Sequence, residues 1–117
     1  MIKQAVFKEV NAYLISLLGV PIIAVDNNND TDKGLINGKV TNIEFRDNFG
    51  ICIVCELDRF VSGSISADGD GYVFPLDALG SILFLSRADA ELSLKLLRAV
   101  NEECLKTRLA PEDYALA

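Results

Sequence analysis

The sequence predicts an α+β domain in which an N-terminal amphipathic helix and a C-terminal helix pack on an antiparallel sheet of four to five strands, curled or closed into an open barrel. Three observations lead there. Apolar residues recur every three or four positions over residues 2–18. Short alternating runs broken by turn residues fill 35–85. Helical spacing then returns from Ala88 to about Thr107. A chain of 117 residues fits one domain with its own core. The expected layout is helix and extended segment over 1–25, polar loop over 26–34, sheet or barrel over 35–85, helix over 86–108 and tail over 109–117.

In the first element Ile2, Val6, Val10, Tyr13, Leu14 and Leu17 form one stripe, widened by Phe7 and Leu18, while Gln4, Lys8, Asn11 and Ser16 fall opposite. Gly19 suits a left-handed helix stop and Pro21 prevents resumption. Ile22-Ile23-Ala24-Val25 reads equally as a short strand or a packed extended segment. Asp26 to Gly34 is polar and without period, a surface loop.

Ile36 to Phe45 alternates, but its phase slips between Val40 and Ile43. A bulge near Thr41 or Asn42 would restore the register. Arg46-Asp47-Asn48-Phe49-Gly50 is a hairpin turn, and Ile51 to Leu57, apolar on both faces, is a central strand. A third strand is expected over Phe60–Ile65, a turn over Ala67–Gly71, then strands at Tyr72–Phe74 and Ser81–Leu85. Ser86 and Asp89 cap the last helix. Its charged face is Glu91, Lys95, Arg98, Glu102 and Lys106. Ala90, Leu92, Leu94, Leu96, Leu97, Val100, Cys104 and Leu105 make an apolar arc wider than one contact requires. The tail after Pro111 is expected to fray.

Composition excludes several classes of function. Half the residues are apolar and 24% charged, unlike a disordered chain. A net charge of -6 lacks the basic footprint of a nucleic-acid binder. No run approaches the roughly 20 apolar residues of a membrane span, and no signal-peptide pattern opens the chain. Three cysteines cannot all pair, which favours a reducing, cytoplasmic setting.

The chemical motifs reduce to structure. Cys52-Ile53-Val54-Cys55 has metal-pair spacing, but strand residues three apart point to opposite faces, and the chain has no histidine. Neither metal nor cofactor is expected. Asp26-Asn27-Asn28-Asn29-Asp30 opens like a calcium loop, yet Thr31 and Asn37 stand where its glycine and glutamate belong. Lacking histidine, the chain offers little for general-base catalysis, and a non-enzyme is expected. Glu44, Glu56 and Asp77 are the carboxylates that an alternative reading, a small-molecule binder or small enzyme, would gather in a barrel mouth. Phe49, Phe60 and Tyr72 lie near turns or strand ends, as candidate partner-binding residues or as plugs of the barrel's ends.

Tyr72 to Glu91, with its Tyr72-Val73-Phe74-Pro75 strand, Leu79-Gly80 turn, Phe84-Leu85-Ser86 and Ala90-Glu91, resembles a segment of small uncharacterised proteins of phages, prophages and mobile elements in low-GC Gram-positive bacteria. Gly38-Lys39-Val40 is similar to that module's opening strand. Over about 35–98 the resemblance implies an SH3-like barrel closed by a C-terminal helix; it carries no activity. Ser81 and Asp89 depart from its pattern, and the first helix is not part of it. The leading helix, Leu18-Gly19-Val20-Pro21 and Leu96-Leu97-Arg98-Ala99-Val100-Asn101 are similar in layout to type III secretion chaperones, which implies a dimeric effector binder.

The function expected is a non-enzymatic protein-interaction module that binds or inhibits a partner protein; a secretion-chaperone-like or immunity-type effector binder is the alternative of the same class. The wide arc of the last helix further predicts a homodimer, with Leu92 and Leu96 at its interface.

Overall fold

Phe7, Val10, Leu14 and Leu17 recur on one side of the first helix, α1 (Gln4–Ser16), and all four are buried. Leu17 ends the helix, and Gly19 takes the left-handed backbone (φ 82) that a side chain resists. Its N–H then donates to the Val40 carbonyl, tying the helix end to the sheet. The computed structural model describes residues 2–25, 34–46, 48–58, 64–68, 71–85 and 94–116.

Among the described residues six strands form one open sheet: β1 (Pro21–Val25), β2 (Leu35–Arg46), β3 (Gly50–Leu57), β4 (Ser66–Asp68), β5 (Gly71–Pro75) and β6 (Leu83–Leu85). Their order is β4-β5-β3-β2-β1-β6, every neighbouring pair antiparallel. The α+β architecture, helices on an open antiparallel sheet, is the expected one; the described residues hold six strands where the sequence predicts four to five. Residues 22–25, ambiguous in sequence, belong to β1, paired with β2 on one side and β6 on the other. The slip in β2 is a bulge at Thr41: Val40 pairs with Cys55 and Asn42 with Val54, so both Val40 and Ile43 reach the core face.

One sheet face makes the core. Ile22 and Ala24, Ile36 and Val40, Ile51, Ile53 and Cys55, Phe74 and Leu83 join the buried stripe of α1 in a single cluster. A second helix, α2 (Leu94–Thr107), adds Leu97, Val100 and Cys104 to it. Both helices thus cover the same face. On the other face Phe84, Ile23 and Leu35 are exposed, beside a Lys39–Glu56 ion pair.

Several expectations need correction. The Ala67–Gly71 turn begins later than expected: β4 (Ser66–Asp68) overlaps it, because Asp68 pairs directly with Gly71. Of the strand expected over Phe60–Ile65, residues 60–63 lie outside the described residues. The last strand starts at Leu83, not Ser81; Ser81 and Ile82 belong to a turn in which Gly80 has φ 85. The tail carries a third helix, α3 (Pro111–Leu116). Pro111 suits the first helical position, and Asp113 accepts the Ala110 N–H at 2.9 Å. Tyr114 stacks on Phe7 with ring centroids 4.1 Å apart, fastening α3 to α1. Residues 86–93, with the caps Ser86 and Asp89, lie outside the described residues. Among those described, no helix is long and apolar enough to cross a membrane.

Candidate functional site

Strand length creates the candidate site. β1 has five residues and pairs with Leu35–Lys39 of the twelve-residue β2. Val40 is still engaged, donating its N–H to the Val20 carbonyl. Beyond it, β2 overhangs its neighbour and, among the described residues, is paired on the β3 side alone.

The overhang has a definite hydrogen-bonding phase. The Ile51 N–H of β3 donates to Asn101 Oδ1 of α2 at 2.8 Å, and so points away from β2. Antiparallel pairing alternates, so the partners of Ile51 and Ile53, Phe45 and Ile43, turn their own peptide groups away from β3. The Ile43 N–H fits this phase: it donates to Asn42 Oδ1 at 2.9 Å, its neighbour's side chain.

Against this overhang lies a groove of about 210 Å³. Leu14, Ile43, Phe45 and Ile51 supply apolar lining. Ile15 of α1 and Leu18 of the turn after it border the groove at 58% and 47% exposure, and Ala110 and Pro111 contribute from the α2–α3 corner. Asn11, Asn42, Glu44 and Glu112 add polar groups. Glu44 pairs with Arg46 at 3.3 Å.

The two described aromatic residues selected from the sequence, Phe49 and Tyr72, do not gather. Phe49 is 46% exposed in the β2–β3 turn. Tyr72 pairs with Cys55, five residues along β3 from Gly50 (about 17 Å), and its half-buried ring packs on the core. Phe60 lies outside the described residues, as does Leu92. Leu96 is half-buried against the core cluster.

The carboxylates each have their own base. Glu56 pairs with Lys39 at 3.7 Å and Asp77 with Arg98 at 3.4 Å. Asp77 and Arg98 line a second hollow of about 410 Å³ with Asn101, Glu102 and Leu105. Among the described residues no three cysteine or carboxylate side chains converge as metal ligands would.

Cys55 belongs to the core cluster, and strand alternation puts Cys52 on the opposite face; both are fully buried, as is Cys104. Burial pushes the Cys55 thiol up to about 12 and Cys104 up to about 11, with Glu103 and Asp113 adding to the latter. Cys52 is raised as well, chiefly by burial, with Arg46 opposing. These are inert thiols, the reverse of an activated nucleophile.

The groove draws on residues 11–18, 42–51 and 110–112, so no local motif announces it. The only sequence signals were the excess length of the alternating run over its neighbour and the apolar excess at Ile15 and Leu18. No protein-family profile, curated protein or solved structure matches this chain.

Proposed function

We propose that this chain is a non-enzymatic protein-interaction module which binds, and thereby blocks, a partner protein through the groove between α1 and β2. The observation that carries the reading is an open apolar concavity bordered by two exposed large aliphatic side chains, Ile15 of α1 and Leu18 of the turn that follows it. Its 210 Å³ is below the roughly 300–1,000 Å³ of small-molecule sites. That size suits one or two apolar side chains presented by another protein. The three raised, unpaired thiols suit a cytoplasmic setting, where cysteines stay reduced.

The test offers one lysate to immobilised wild-type protein and to an Ile15→Asp/Leu18→Glu variant of unchanged far-ultraviolet circular dichroism. The expected result is a protein retained by wild type alone, which then binds the purified wild-type chain, and not the variant, by calorimetry. Equal retention by both baits, or by neither, contradicts the reading.

A further inference from the structure

We infer that the overhanging edge of β2, over Asn42–Phe45, accepts an extended segment of the partner protein as an added β-strand whose apolar side chains enter the neighbouring groove. The inference rests on the interaction reading above and specifies the shape and chemistry of what binds.

Two features of one place agree. The first is the edge: the peptide groups of Ile43 and Phe45 face away from β3, and no described strand pairs with them. Such an edge is a template for another chain. The second is the groove, which lies on the side of the sheet toward which Ile43 and Phe45 point. A strand laid along the edge would alternate its side chains between that groove and the opposite face. A helix seated in the groove would leave the edge groups unused, so the geometry selects an extended occupant.

Charge narrows the sequence of that occupant. Glu112 stands at the groove, Glu44, already paired with Arg46, lies between the two edge residues on the opposite face, and the chain as a whole carries -6. The segment should therefore read as alternating apolar and polar residues, with Lys or Arg among the polar ones. Asn42 has a matching role as a guard. By holding the Ile43 N–H with its own side chain it blunts the edge until a better acceptor, the carbonyl of the incoming strand, displaces it.

The experiment selects random displayed peptides on the wild-type protein, counter-selects on Leu18→Glu, and repeats with Ile15→Lys to guard against a folding defect in one variant. Selected peptides are synthesised with single backbone N-methyl groups at each position in turn. The inference predicts alternating apolar residues with interspersed Lys or Arg. Methylation should weaken binding at least tenfold at every second position and little between them, because only alternate amides of a strand face its neighbour. Asn42→Ala should tighten binding by freeing the Ile43 N–H. Peptides that depend on Leu18 but show no two-residue rhythm of methyl sensitivity would leave the groove reading standing and overturn strand addition. Failure to recover any peptide that distinguishes wild type from both variants would overturn the two together.

Discussion

Gly50 is the position at which one methyl group should reveal how α2 is locked to the sheet. It has φ 76, and a Cβ there would fall well inside contact distance of the Asn101 side-chain oxygen and crowd Leu105. That oxygen accepts the N–H of Ile51, a residue only 1% exposed whose amide precedes the β3–β5 pairing that begins at Cys52. Gly50→Ala thus carries about 1–2 kcal/mol for a left-handed non-glycine residue. Displacing Asn101 and leaving a buried amide unpaired adds about 1–3 kcal/mol, for a total of roughly 2–5 kcal/mol. Asn101→Ala alone forfeits only the second part. In the double variant the methyl group has no amide left to displace, so Gly50→Ala should then cost only the backbone share. The singles should therefore sum to about 1–3 kcal/mol more than the double. Urea denaturation of the four proteins measures this. Strict additivity would refute the shared contact, and a Gly50→Ala cost below about 1 kcal/mol would refute the left-handed turn.

Three further expectations concern stability. The unfolded chain ionises its thiols near 9.0, whereas burial holds Cys55 near 12 and Cys104 near 11 in the fold. The folded state therefore keeps protons that the unfolded state releases. That stability is complete below about pH 9 and is lost as pH rises through 11 and 12, by roughly 1 kcal/mol per thiol for each pH unit above 9. Urea midpoints between pH 8 and 10.5 should fall more steeply for wild type than for Cys55→Ala/Cys104→Ala; parallel curves would contradict the burial. Tyr114→Ala removes the stack on Phe7 and should cost about 1–3 kcal/mol, with Tyr114→Phe near wild type; no loss would detach α3 from the fold. Leu96→Glu should lower stability by about 1–3 kcal/mol at unchanged mass, since Leu96 packs on the core. Unaltered stability with a dimer split to monomers in light scattering would instead make it an interface residue.

Legibility followed the strength of period. α1 could be read because its stripe runs uninterrupted to Gly19, and the Thr41 bulge because Val40 and Ile43 cannot share a face without one. β1 stayed ambiguous because four successive apolar residues carry no period. β4 was hidden because Ser66-Ala67-Asp68 has turn composition, and only its pairing with β5 makes it a strand. α3 is too short for a period, although Pro111-Glu112-Asp113 is a sound opening turn. Residue type says nothing about neighbours: of the candidate aromatic residues, Tyr72 packs on the core while Phe49 stands at the far end of β3. The site itself is a consequence of topology, a long strand beside a short one, and appears only once partners are assigned.

The most direct measurement is amide chemical-shift mapping of the isotopically labelled protein as a groove-selected peptide is added. The account predicts the largest changes at Ile43 and Phe45, over Asn11–Leu18 at the end of α1 and the turn after it, and at Ala110, with the Phe45 amide becoming protected from hydrogen exchange. Changes centred instead on Ile23, Leu35 and Phe84, across the opposite face of the sheet, would contradict it.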